Sequence, residues 1–97
     1  MAAQFEWDGK KALQNLKKHG VAFEEAVGVF ADPLAQIFDD PDHSMLERRQ
    51  IIVGNSINRR TLIVSFTDRD DRIRLISARP TTLRERRDYE QYTKKKR

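Results

Sequence analysis

Residues 60–67 read RTLIVSFT, and the alternation in this stretch decides what kind of fold the chain makes. In an extended strand successive side chains point to opposite faces, so Leu62, Val64 and Phe66 share one side and Thr61, Ile63 and Ser65 the other. One face is apolar throughout and the other mixed, which describes a central strand whose first face meets helices. The same period of two recurs in LAQIFD from residue 34, ERRQIIVG from residue 47 and RIRLISA from residue 72. Short connections between such neighbours predict an antiparallel sheet of about four strands. In the last of them Ile73, Leu75 and Ser77 alternate with Arg72, Arg74 and Ile76, so guanidinium groups are expected on one sheet face.

Upstream of residue 34 the period is helical. FEWD at residues 5–8 reads as a short extended segment, and Asp8 suits the N-cap of a helix through GKKALQNLKKHG, with Leu13 and Leu16 expected inward and Gly20 ending it. In FEEAVGVF, Phe23, Ala26, Val27 and Phe30 fall at i, i+3, i+4 and i+7, one buried stripe that the Asp32-Pro33 pair closes. Two helices in a hairpin over the sheet are expected. Downstream, Thr82 followed by Glu85 fits a capping box for a third helix in TTLRERRDYEQY. Leu83, Tyr89 and Tyr92 are too few for a wide apolar stripe, so that helix is expected on the surface or against a partner. Residues 93–97, TKKKR, read as a frayed basic tail. The fold class is therefore α+β: two N-terminal helices on a twisted antiparallel sheet, plus a C-terminal helix, in one domain over residues 1–97.

A chain of 97 residues with 35% charged residues has room for one thin core. There is no cysteine, which removes disulfides, thiolate metal sites and thiol nucleophiles. No apolar run has signal or membrane-span length, so a cytoplasmic protein is expected. The formal charge of +4 is unevenly placed: residues 1–46 carry −4 and residues 47–97 carry +8. Such segregation attracts polyanions, nucleic acid above all.

Metal chemistry finds little support. Two histidines are too few for a zinc site, and Asp39, Asp40, Asp42, His43 and Glu47 read as an acidic turn between strands. No phosphate-binding glycine loop, dinucleotide fingerprint or serine nucleophile motif is present, so no cofactor is expected. Arg, Lys, His, Glu and Tyr remain. Cleavage of RNA suits that set, because the 2′-hydroxyl is an internal nucleophile and the protein need only orient it, move protons and stabilise charge. Arginines on a sheet suit the last task. Arg74 and Arg79 are equally well described as exposed strand-end charges, Lys18 and His19 as helix C-terminal caps, Glu85 as a capping-box partner and Tyr89 as a half-buried anchor.

FEWD with Lys11 and Asn15, KHGVAFEEA through VFADP, DHSMLERR, Gly54 and Ser56 with Arg60, FTDR, and RIRLISARPTTLRERRDYE, a stretch holding six arginines, occur in this order along nearly the whole chain. In them the sequence resembles the BrnT toxins of bacterial type II toxin–antitoxin systems, within the RelE/ParE-like superfamily. The resemblance implies a microbial-ribonuclease-like α+β domain that cleaves RNA and stops translation. It also implies a cognate BrnA-type ribbon-helix-helix antitoxin, whose dimer would hold two toxins and repress their operon. On that basis Arg79 with Arg74 is expected to stabilise the transition state, with Lys18, His19, Glu85 and Tyr89 as candidates for substrate binding or proton transfer. Arg49, Arg60, Arg72 and Arg86 are the expected further RNA contacts. One departure stands out: the family usually carries Gly where Arg59 stands, so the NSINRR hairpin is expected to need another turn type.

Three rival readings stay open at this point. ParE-like relatives poison DNA gyrase and cleave no RNA. A non-catalytic RNA-binding module needs exposed stacking rings. Periodicity assigns Phe5, Phe23, Phe30, Phe38 and Phe66 to the core and leaves mainly Tyr89 and Tyr92. A purely structural domain would dock its basic half onto an acidic protein.

Overall fold

The computed structural model describes residues 4–40 and 48–96. Five strands form one sheet: β1 (Gln4–Glu6), β2 (Gln36–Asp39), β3 (Arg49–Asn55), β4 (Thr61–Arg69) and β5 (Arg72–Pro80). Their order is β1-β5-β4-β3-β2, with β4 in the centre as its alternation requires. Strands β2 to β5 pair antiparallel, while β1 runs parallel to β5 with Phe5 beside Ile73 and Glu6 beside Arg74. The α+β reading stands with this addition: FEWD supplies a parallel edge strand, and three residues are too few to show an alternation of their own.

Three helices, α1 (Gly9–His19), α2 (Phe23–Val27) and α3 (Leu83–Lys96), accompany the sheet. Val21, Phe23, Ala26 and Val29 are fully buried against Leu62, Val64, Phe66, Leu75 and Ala78. After Val27 the chain tightens into a 3-10 turn over Gly28–Ala31, which moves the buried position from Phe30 to Val29. Phe30 instead stacks edge-on against Phe5 and Phe66, each at 5.1 Å. Gly54 lies under this turn. A Cβ there would meet Ala35 Cβ at 2.9 Å and Val29 Cγ1 at 3.1 Å, so the strand approaches the helical layer only as glycine.

Helix α1 corrects the sequence reading. Leu13 and Leu16 are 62% and 46% exposed, and the buried residue of the helix is Asn15. Its Nδ2 donates to the carbonyls of Val21 and Ala78 at 2.9 and 2.8 Å, and its Oδ1 accepts the Ala78 N–H at 3.0 Å. Strand β1 pairs with β5 only as far as Arg74, and the Asn15 amide satisfies the edge beyond it. A strand edge is polar, so an amide rather than a leucine stripe is what it accepts.

In β5 the register slips: Ser65 pairs with Ser77 but Phe66 pairs with Leu75, leaving Ile76 as the extra residue of a bulge. Ser77 therefore does not share a face with Ile73 and Leu75, as simple alternation had it. It turns to the uncovered face, and Arg79 turns with it. The β3–β4 hairpin also differs from expectation. Ser56 N–H bonds Arg60 O at 2.8 Å and Arg59 N–H bonds Ser56 O at 2.9 Å, closing a three-residue loop. Arg59 takes the left-handed conformation at φ 62°, so the glycine-type turn is kept and arginine is accommodated in it.

The capping box forms as predicted: Glu85 N–H donates to Thr82 Oγ1 at 3.2 Å, and Thr82 N–H donates to Glu85 Oε1 at 2.8 Å. Helix α3 runs on through Thr93 to Lys96, where the sequence suggested a frayed tail. Leu83 and Tyr92 are 64% and 41% exposed, in keeping with its thin apolar content, whereas Tyr89 is buried at 5%. Residues 41–47, with most of the expected acidic turn including Asp42, His43 and Glu47, lie outside the described residues. No helix among the described residues is long and apolar enough to cross a membrane.

Candidate active site

Helices α1 and α2 leave one side of the sheet uncovered, and cross-strand pairing sets that side out in rows. Arg49, Thr67 and Arg74 form the first, Ile51, Ser65 and Ser77 the second, and Val53, Ile63 and Arg79 the third. Without the bulge at Ile76, residues 74 and 79 would point to opposite faces, since they are an odd number apart. The bulge is what brings both guanidinium groups to one side.

Helix α1 adds to this face from the β5 edge. It ends at Gly20, whose φ of 70° allows the left-handed cap and whose N–H reaches Leu16 O at 2.9 Å. Lys18 and His19 fill the last turn and, with Lys11, Arg49 and Ser77, line a depression of about 310 Å³. Among the described residues no hydrogen bond or ion pair engages the side chains of Lys18 and His19.

Arg79 stands two residues beyond Ser77 with a partner in place. Its NH1 and NH2 donate to Glu85 Oε1 and Oε2, both at 2.9 Å, a fork on a carboxylate. That bond, against some burial and helped by the Thr82 N–H, holds the Glu85 carboxyl down at about 2. An acid of that strength is a poor proton acceptor near neutral pH. Glu85 thus caps α3 and aims Arg79. Arg74 is held at the other end of the face by Glu6 at 3.0 Å, and Arg72 approaches the same carboxylate at 3.5 Å.

The other predicted residues are dispersed. Arg60 is committed to Glu25, with its Nε 2.9 Å from Glu25 Oε2 and NH2 3.0 Å from Gly20 O, which ties the β3–β4 hairpin to the end of α1. Arg60, outweighing the effect of burial and joined by the Ser56 hydroxyl, draws the Glu25 carboxyl down to about 2. Arg86 lies on the far flank of α3, in a polar hollow with Arg59 and Thr61. Tyr89 donates its hydroxyl to Asp32 Oδ2 at 2.7 Å. Burial and that carboxylate push the phenol well above its ordinary range, so it releases its proton reluctantly. Asp32 also accepts the N–H groups of Leu34 and Asn55 at 2.9 and 2.8 Å, which with the tyrosine outweigh burial and keep its carboxyl low. Tyr89 anchors α3.

Sequence reading missed Ser77 as a site residue because only the bulge turns it to this face. It also missed Asp32 and Glu25 as clamps. Lys11 stood in the family-like motif but without a role.

The chain is an α+β domain with lysine, histidine and arginine gathered on an uncovered sheet face, a surface whose charge attracts polyanions. The family described as "Ribonuclease toxin, BrnT, of type II toxin-antitoxin system" matches residues 7–85. The chain belongs to the BrnT family of ribonuclease toxins. Its fold is similar to the crystal structure of the Brucella abortus ribonuclease toxin BrnT, with a TM-score of 0.66 and 20% identity over 84% of this chain and 99% of that one. No curated protein sequence matches it. Family membership carries with it a cognate antitoxin as partner, and it favours the ribonuclease reading over gyrase poisoning, mere RNA binding or a structural role.

Proposed function

We propose that the chain cleaves RNA without a metal ion, by attack of the 2′-hydroxyl on the adjacent phosphate, on the uncovered sheet face between α1 and β5. The observation that carries this reading is the convergence of Lys18, His19, Arg49 and Ser77 in one depression with Arg79 on the same face. A cationic cluster repels a divalent ion and attracts the phosphate itself. In this mechanism Arg79, aimed by Glu85, stabilises the charge that builds on the phosphorane-like transition state. An imidazole can both accept and donate a proton, so His19 takes the proton from the 2′-hydroxyl or returns one to the leaving 5′-oxygen, with Lys18 beside it to bind phosphate. Arg49 and Arg74 extend the phosphate track along the first row, and Arg72 continues it two residues earlier on β5. Glu85 and Tyr89 act through position, and Arg60 and Arg86 serve elsewhere.

The partner in this proposal is a ribbon-helix-helix antitoxin dimer that holds two toxins, which rests on the family resemblance. The test is incubation of antitoxin-free protein with end-labelled RNA in excess EDTA. New fragments ending in 2′,3′-cyclic phosphate are expected, and Arg79→Ala is expected to slow their appearance by roughly two orders of magnitude with little loss of stability. RNA that stays intact in EDTA but is cut when Mg²⁺ is restored would contradict the mechanism.

A further inference from the structure

Beside Arg79 the uncovered face holds a second hollow that the cleavage mechanism does not use. Its floor is Ile51, Val53 and Ile63, its far wall is Phe38, and α3 overhangs it with Asp88 and Tyr92; its volume is about 340 Å³. Periodicity assigned Phe38 to the core, yet the ring is 46% exposed and stacks on no other ring among the described residues. An apolar floor with two half-exposed aromatic rings is unusual on so charged a chain.

Among the polar groups around this hollow, which include the phenols of Tyr89 and Tyr92, two carry negative charge. Asp88 and Glu85 are carboxylates, and Gln36 adds an amide. Both oxygens of Glu85 already accept hydrogen bonds, but no protein group engages the side chain of Asp88 or Gln36 among the described residues. Carboxylates repel phosphate, so whatever enters presents a flat apolar body and hydrogen-bond donors. A nucleobase with an exocyclic amino group does both. The hollow is continuous with the cleavage face: Ile63 in its floor is the cross-strand partner of Arg79, and Glu85 touches both.

We infer that this hollow is the base-recognition subsite of the toxin, in which Phe38 stacks on the base next to the scissile phosphate and Asp88, with Gln36, reads an exocyclic amino group. Cytosine, adenine or guanine is accepted, and uracil is disfavoured because its one donor, N3–H, stands between two carbonyl oxygens that the carboxylates repel. The inference rests on the proposed cleavage site and deepens it, since it assigns sequence preference to residues that do no chemistry.

The test has two readouts. In the first, nucleosides without phosphate are titrated into the wild-type chain while the methyl resonances of Ile51, Val53 and Ile63 are followed by NMR. Cytidine and adenosine are expected to shift these methyls about tenfold more strongly than uridine does. Phe38→Ala and Asp88→Ala are each expected to weaken the response roughly tenfold, with the Leu62 and Val64 methyls reporting an intact core. No shift, or equal shifts with uridine, would overturn the inference. In the second, the bases flanking each cut are counted for wild type and Asp88→Ala. Selective nucleoside binding with RNA left uncut would keep the subsite and sink the cleavage reading. Cutting with the same flanking bases in wild type and Asp88→Ala would sink the subsite and keep the cleavage reading.

Discussion

Arg59 is held in a left-handed backbone that costs any residue with a Cβ on the order of 1 kcal/mol relative to glycine. Arg59→Gly is therefore expected to raise stability by up to about 1 kcal/mol, read as a higher urea midpoint at unchanged slope. No gain would mean that the arginine side chain makes up the difference. Asn15 is the opposite case, since its three hydrogen bonds stand where a strand would. Asn15→Leu leaves the Ala78 N–H and two carbonyls buried without partners, and a loss of roughly 3 kcal/mol in denaturant unfolding is expected. An unchanged midpoint would show that water reaches this edge. At this scale the sequence was partly legible. Glu85 as a cap and Tyr89 as an anchor followed from spacing and composition, but Asn15 stood in the family-like motif without a role, because the strand edge it satisfies lies 63 positions away in β5.

Elements were legible where their period was long enough to see. Strands β2 to β5, the α1 cap and the start of α3 all came from local pattern. Helix α1 was assigned the wrong buried side because its two leucines suggested a stripe, while the strand edge it covers calls for a polar group. The decisive miss was the β5 bulge. A period-two reading has no term for one extra residue, and only the pairing with β4 reveals it, so Arg74 and Arg79 could not be placed on one face beforehand. The Glu25–Arg60 pair joins the β3–β4 hairpin to α2, and it carries a pH prediction. The Glu25 carboxyl titrates at about 2 in the folded chain, against 4.5 for a free glutamate side chain, so the unfolded chain binds more protons between those values. Its contribution is complete above about pH 5 and is lost as pH falls through about 2. Glu25→Gln is expected to cost on the order of 2 kcal/mol at pH 7 and to flatten the acid limb of the stability curve. A limb as steep as that of the wild type would assign it to other carboxyls.

The molecule as a whole divides its charge, with −4 on residues 1–46 and +8 on residues 47–97, yet the proposed site draws Lys18 and His19 from the acidic half. Folding brings α1 against β5 and so completes a cationic face that neither half has alone. That assembly also explains how far the sequence led: the family and fold class were within its reach, while the grouping of site residues depends on an edge contact and a bulge. The proposed chemistry depends on one atom of the substrate more than on any residue. An RNA oligonucleotide carrying a single 2′-deoxy sugar immediately 5′ to the cut phosphate tests it, with the all-ribose oligonucleotide beside it. Cleavage at that phosphate is expected to disappear while neighbouring sites are still cut. Cleavage at an undiminished rate at the deoxy position would mean that another nucleophile attacks, and would contradict the 2′-hydroxyl mechanism.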